Sequence, residues 1–470
     1  VFFHHRFVPG LAIHSYMVGD EKTKECAVID PTRDVDSYIA IAKVEGLKIT
    51  HILETHVHAD FVSGARELKT RLGGTPQVHS SGHGGSAWTP PYADHVVRDG
   101  HEVKMGAIRL RVVHTPGHTP EHIAWALFDD SRSAAEPWLL FTGDFLFVGD
   151  VGRPDLLGEE TKRQLAKQLY GSVFSTLPKF TDFVEIFPAH GAGSLCGKAI
   201  GSRASSTVGF ERRFNPALQA AAEQAWIENL MSGMPIYPPY FRRMKKVNAE
   251  GPKIIGHERP GQQRFSAEDV HARMCDHCLI VDVRPKEAFA SAHLPGSINI
   301  PLGQNLPTWA GWVLPYDHPT LLIADSAADV DEVVTHLLRV GFDDVQGYLE
   351  GGVSAWEERG YEISQLESLS VHTLADRLKA AKTARPFVLD VRSEREWDAG
   401  HIAGAHHIHG GLLQERITEV PKDREVAVIC GTGYRGSIAA SFLKRAGYHH
   451  VANTLGGMMA WQGAGLPIEN

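Results

Sequence analysis

The feature that most constrains this chain is an internal repeat in its C-terminal half. The apolar run ending Leu279-Ile280-Val281-Asp282-Val283-Arg284 returns as Phe387-Val388-Leu389-Asp390-Val391-Arg392. The turn His293-Leu294-Pro295-Gly296 returns as His401-Ile402-Ala403-Gly404. Asp390 and Gly404 each stand 108 residues after their counterparts, and Gly447 stands 106 after Gly341. Such spacing predicts two copies of one domain, over residues 265–365 and 366–470. Each copy alternates short β-branched runs with helically spaced apolar residues, the pattern of a parallel sheet flanked by helices.

The second copy carries recognisable chemistry. Glu425–Ile429 predicts a buried strand and Gly436–Ala446 a helix. The loop between them, Cys430-Gly431-Thr432-Gly433-Tyr434-Arg435, falls where open α/β sheets place ligands. With Asp390-Val391-Arg392 and Gly400-His401-Ile402-Ala403-Gly404 it resembles the single-domain rhodaneses, over residues 368–470. The resemblance implies a loop curled around the Cys430 sulfur, with backbone N–H groups at Gly431, Thr432, Gly433 and Tyr434 turned inward and a helix N-terminus behind it. Both would stabilise a thiolate or persulfide anion. Arg435 would bind an anionic sulfur donor. In the first copy the loop reads Ala324-Asp325-Ser326-Ala327-Ala328-Asp329, with no thiol and with carboxylates where an anion should sit. That copy is expected to be a spacer, docking surface or pocket wall. The isolated Cys275-x-x-Cys278 has no second pair to complete a zinc site and is read as incidental.

Residues 1–250 form a separate block, with the polar run from Val247 to Lys253 read as linker, residues 251–264 assigned to it, and Pro216–Leu230 expected as a helix. Four motifs there share one grammar: a strand end, a Gly or Pro or an alternating polar turn, and metal-capable side chains. They are Thr55-His56-Val57-His58-Ala59-Asp60, Thr115-Pro116-Gly117-His118-Thr119, Phe141-Thr142-Gly143-Asp144 and Phe187-Pro188-Ala189-His190-Gly191. Any one of them is weak evidence, because a lone His is more often a hydrogen-bonded structural residue. All four in order resemble the metallo-β-lactamase superfamily, which implies an αββα sandwich. Its dinuclear hydrolases, such as glyoxalase II, carry a His directly after the motif's Asp; here Phe61 stands there, and a phenyl ring cannot ligate a cation.

The family resembled most closely is then the persulfide dioxygenases, which implies one Fe(II) per chain on His56, His118 and Asp144. Two imidazoles and one carboxylate leave open positions for substrate and O2. His58, Asp60 and His190 would orient those ligands or hydrogen-bond substrate. Arg153, in Val151-Gly152-Arg153-Pro154-Asp155, is expected to meet an anionic substrate or organise the pocket wall, with a structural ion pair as the alternative. Cys196, in Gly193-Ser194-Leu195-Cys196-Gly197, is expected near the pocket mouth as a candidate persulfide carrier, with a small buried apolar residue as the alternative.

Composition closes off other classes. A net charge of −9 excludes a phosphate-backbone partner. No run approaches the roughly 20 apolar residues of a membrane span, and Val-Phe-Phe-His-His-Arg lacks the apolar core of a secretory signal, so a cytoplasmic protein is expected. Five cysteines are too few and too uneven for a disulfide framework. The expected partners are a low-molecular-weight thiol persulfide, O2, sulfite and thiosulfate, in a homo-oligomer. The expected function is persulfide oxidation to sulfite coupled to sulfur transfer through Cys430. A zinc-dependent thioester hydrolase like glyoxalase II is the alternative.

Overall fold

Period-2 alternation along the N-terminal strands gives each sheet two apolar faces, and both must be covered. The computed structural model describes residues 1–219, 222–275, 278–381 and 385–469; the side chain of Cys275 lies outside that description. Contacts divide the chain into two units, Val1–Glu258 with Leu338–Gly341, and Arg259–Leu337 with Phe342–Asn470.

The first unit holds two six-stranded sheets. One runs in the order Phe2–Val8, Ile13–Asp20, Glu25–Ile29, Lys48–Leu53, Gln77–Ser81, His95–Val97. The other runs Ser206–Thr207, Glu185–Pro188, Leu139–Gly143, Ile123–Asp129, Ile108–His114, Glu102–Met105. Tyr16, Val18, Ala27, Ile29 and Leu53 face Val112, Trp125, Leu127 and Phe141 between the sheets. The alternate residues Met17, Cys26, Val28 and Ile52 pack on Tyr38, Ala42 and Leu68 of the helices Asp36–Glu45 and Ala65–Arg71. Phe128, Leu140 and Ile186 pack on Leu169 and Trp226 of the helices Glu159–Gly171 and Glu223–Met231. The result is a four-layer αββα sandwich, each buried Val, Leu or Ile contributing roughly 1.5–3 kcal/mol.

Two stretches depart from expectation. Pro216–Leu230 is not one helix: the Asn215 side chain accepts from Ala217 N and caps a short 3-10 turn at Pro216–Leu218, and the α-helix begins at Glu223. The polar run from Val247 is not yet linker either. The helix Tyr240–Glu250 continues through it, because the buried amide of Asn248 donates to the carbonyls of His58 (2.8 Å) and Phe61 (2.7 Å).

The second unit contains two five-stranded sheets, all of whose strand pairs are parallel, with one topology. The first has the order Gln263–Phe265, Val345–Leu349, Thr320–Ile323, Leu279–Asp282, Ile298–Asn299, and the second Glu367–Leu369, Val451–Thr454, Val426–Ile429, Phe387–Asp390, His406–His407. The first strand thus begins at Gln263, inside the stretch expected as linker. The repeated Asp-Val-Arg makes the same clamp twice. Arg284 Nη2 donates to Asp282 (2.6 Å) and to the Ala292 carbonyl, and Arg392 Nη2 donates to Asp390 (2.7 Å) and to the Gly400 carbonyl. Ala324 follows the strand Thr320–Ile323 as Cys430 follows Val426–Ile429.

Candidate metal centre and cysteine loop

Three strand-end turns of the sandwich deliver His56, His118 and Asp144 to one point, where their ligand atoms lie within 4.8 Å of one another. His118 Nε2 is 3.4 Å and His56 Nε2 3.8 Å from Asp144 Oδ2. These three atoms are buried and none has a hydrogen-bond partner. Burial holds both imidazoles neutral, lowering His56 well below the usual histidine range and lowering His118 as well. Three inward lone pairs with no proton between them would repel, and a cation resolves that repulsion. The residues therefore fit a metal ion.

The other ring nitrogens are held so that Nε2 faces inward. His118 Nδ1–H donates to the Arg153 carbonyl at 2.9 Å. Thr55 Oγ1 donates to Asp30 (2.8 Å), which leaves it to accept from His56 Nδ1–H at 2.9 Å. His122 Nε2 accepts from the Asp144 backbone N–H at 2.9 Å. His190 spans two carboxylates, Nδ1 to Asp144 Oδ1 at 2.6 Å and Nε2 to Asp60 Oδ2 at 2.8 Å. Burial opposes its charge, but the two carboxylates outweigh it and raise His190 well above the ordinary value. His58 turns away from the trio toward Asp30, 3.1 Å away, and Phe61 is fully buried with its ring 4.3 Å from the His58 ring.

In the second unit, Cys430 sits at a strand end with its sulfur fully buried. Cys430 Sγ accepts from the backbone N–H groups of Gly433 (3.1 Å) and Gly436 (3.3 Å), at the start of the helix Tyr434–Arg445. The Cys430 carbonyl accepts from Met458 N at 2.7 Å, and Asn453 Nδ2 donates to the Gly433 carbonyl at 3.0 Å. This cradle of N–H groups at a helix N-terminus stabilises negative charge on sulfur.

Comparison with known proteins agrees with this architecture. Residues 8–181 match the model of the metallo-beta-lactamase superfamily, and residues 266–359 and 370–464 each match that of the Rhodanese-like domain. The human protein "Persulfide dioxygenase ETHE1, mitochondrial" is 31% identical over 219 residues, covering 46% of this chain and 76% of that one. The chain belongs to the metallo-beta-lactamase superfamily. A hydroxyacylglutathione hydrolase of Rhodopseudomonas palustris is 32% identical, covering 52% of this chain and 84% of that one. The crystal structure of a metallo-beta-lactamase from Staphylococcus aureus superposes with a TM-score of 0.65 at 38% identity, covering 74% of this chain and 98% of that one. The metallo-beta-lactamase domain is thus followed by two rhodanese-like domains.

Arg153 and Cys196 take the alternative places given for them, a structural ion pair and a small buried residue, and Arg435 is engaged within its own domain. Arg153 of the metallo-beta-lactamase domain is 1% exposed; its guanidinium is consumed by Asp155 (2.7 and 2.8 Å) and by the carbonyls of Leu195 and Pro235. It presents no charge to a substrate and braces the segment whose carbonyl holds His118. Cys196 is not at a mouth: it is buried, grouped with Asp60 and His190, and burial pushes its thiol well above the ordinary value. In the second rhodanese-like domain both Nη atoms of Arg435 donate to Glu396 at 2.7 Å, so the guanidinium is already paired. Sequence reasoning missed Thr55, His122, Glu396 and Asn453. Thr55 opens a recognised motif without a role assigned to it and His122 lies just past one, whereas the roles of Glu396 and Asn453 had no local signal. Cys278 donates to the Pro319 carbonyl and is an interior residue, while its partner Cys275 lies outside the described side chains. Among the described residues, no helix is long and apolar enough to cross a membrane.

Proposed function

We propose that the chain oxidises a low-molecular-weight thiol persulfide to sulfite at one iron held by His56, His118 and Asp144, and that Cys430 carries sulfane sulfur between persulfide, sulfite and thiosulfate. The observation that carries this reading is the convergence of three unpartnered atoms, two imidazole Nε2 and one carboxylate oxygen, with Phe61 following Asp60 in the sequence where the dinuclear hydrolases carry a His. Fe(II) held by these residues would supply open coordination positions for persulfide and O2. The protein's part is to hold both imidazoles as neutral Nε2 donors and to fix Asp144 through His190, leaving Oδ2 inward. One persulfide, one O2 and one water give thiol, sulfite and two protons.

Supporting the sulfur half, Cys430 Sγ receives two backbone N–H groups, an arrangement suited to a persulfide anion. The thioester hydrolase alternative is weaker, because Phe61 removes a ligand of a second metal and because two rhodanese-like domains follow. Iron content and oxygen uptake after reducing, iron-supplemented purification test the reading. The expected result is one iron per chain and uptake dependent on added persulfide. Two zinc ions per chain with thioester hydrolysis and no oxygen uptake would overturn it.

A further inference from the structure

The domain with Ala324 in place of the loop cysteine is built onto the Cys430 loop. Tyr434 Oη donates to the Pro301 carbonyl at 3.1 Å, Ser437 Oγ donates to Asn299 Oδ1 at 2.6 Å, and Asn299 N donates to Ser441 Oγ at 3.0 Å. These contacts set the register of the helix Tyr434–Arg445 on the first domain. Beside Tyr434 lies a cavity of about 390 Å³, its other walls coming from the first domain and including Arg284, Lys286, Leu302, Asp325 and Asp329. That volume is within the range of small-molecule sites. Lys286 reaches the loop itself: a Cβ placed on Gly433 would lie 3.4 Å from Lys286 Cε, and the Gly433 N–H points at Cys430 Sγ.

The charges around this cavity are unequally committed. Arg435 is held by Glu396 and Arg284 by Asp282. Lys286 pairs with Glu287, its chain neighbour, whose side chain is 61% exposed. A surface pair of that kind holds a long side chain weakly, so Lys286 is the cation a ligand most readily takes. Asp325 and Asp329 line the same space. One available ammonium with three carboxylates, Glu287 among them, suits a ligand carrying both signs and disfavours a polyanion.

We propose that the first rhodanese-like domain forms the acceptor-binding wall of the Cys430 centre, with Lys286 pairing a carboxylate of a zwitterionic, amino-acid-type thiol whose ammonium faces Asp325 and Asp329. This rests on Cys430 being the sulfur carrier. The Cys430 thiolate attacks the outer sulfur of thiosulfate, the S–S bond of thiosulfate breaks, and sulfite leaves with the bonding pair. The acceptor thiolate then attacks the outer sulfur of the Cys430 persulfide. A new S–S bond forms, the bond to Sγ breaks, and its electron pair returns to Cys430. Charge and electrons balance with no further co-reactant.

The test is sulfur transfer by the full chain from thiosulfate to glutathione, a zwitterionic thiol, and to coenzyme A, a polyanionic one. Glutathione is expected to have the higher kcat/KM. Lys286→Met is expected to raise the KM for glutathione about fivefold while kcat changes less than about twofold, and Lys286→Arg to restore KM. Asp325→Asn combined with Asp329→Asn is expected to narrow the preference about threefold or more. An unchanged KM in Lys286→Met, or a parent enzyme that prefers coenzyme A, overturns the proposal. Cys430→Ser separates the two levels. Transfer surviving in that variant defeats the carrier reading, whereas transfer lost there but normal in Lys286→Met defeats the wall alone.

Discussion

His190 Nδ1 lies 2.6 Å from Asp144 Oδ1 while its Nε2 lies 2.8 Å from Asp60 Oδ2, so one imidazole ties a metal-facing carboxylate to a second one behind it. Removing the charge at Asp60 is expected to loosen the orientation of Asp144 without altering any atom of the His56, His118 and Asp144 trio. Asp60→Asn is therefore expected to weaken metal affinity about 10–100-fold. Competition with a chelator of known strength measures it, and equal affinity in parent and variant would show that His190 needs only Asp144.

Direct removal acts more strongly. His118→Ala or Asp144→Ala leaves two inward donors in place of three, and metal content is expected to fall roughly tenfold or more from one per chain. Elemental analysis of proteins purified side by side checks this, with circular dichroism to establish that the fold persists.

Cys430→Ser keeps the metal centre intact, because Cys430 belongs to the other unit. The intact chain, supplied with persulfide, is expected to yield mainly thiosulfate and the variant mainly sulfite. Early-time anion chromatography measures the ratio, before sulfite reacts chemically with leftover persulfide. An unchanged ratio would mean that the two reactions are not coupled.

The pair Arg435–Glu396 gives a pH signature. Burial opposes ionisation of Glu396, but Arg435 and the Ser393 hydrogen bonds outweigh it and hold the carboxyl at about 2. In the unfolded chain a glutamate titrates near 4.3. The pair's stabilisation is thus complete above that unfolded value and is lost as pH falls toward the folded one. The urea-midpoint difference between the parent and Glu396→Gln is expected to be largest above about pH 5 and to shrink toward pH 2. A difference that stays constant over that span would show that the ion pair contributes nothing.

Gly457 supports the cysteine loop from behind. Its φ is +54°, and a Cβ there would lie 2.2 Å from the Cys430 carbonyl oxygen, which accepts from Met458 N. Gly457→Ala combines a left-handed backbone with a collision against main chain and is expected to cost about 2 kcal/mol or more. Urea denaturation reads the loss, and a midpoint within error of the parent would refute the strain.

The parallel sheets were legible in short-range signals, strand and helix periodicity and a repeat with constant offset, whereas the αββα sandwich followed from the superfamily that the four strand-end motifs resemble. Four strand-end motifs marked the candidates, and the resemblance to persulfide dioxygenases singled out His56, His118 and Asp144 among them. What escaped depends on partners distant in sequence. Nothing near Arg435 announces that Glu396, 39 residues earlier, takes both its nitrogens. Nothing near Arg153 announces Leu195 and Pro235 as the carbonyls that consume its charge. Proximity in sequence to His190 leaves Cys196 open to a pocket mouth or to the interior, and the turn between them decides for the interior.

The twin clamps Asp282–Arg284 and Asp390–Arg392 leave the molecule with its own folding control. Both domains close their sheets with the same guanidinium grip, yet only one follows its central strand with a thiol. The scaffold's integrity is thereby uncoupled from the six residues after that strand, and residues 324–329 document a loop rewritten without loss of the sheet beneath it. A designer who transplants a different six-residue loop after Ile429 has in the first domain a sheet of the same topology that carries one.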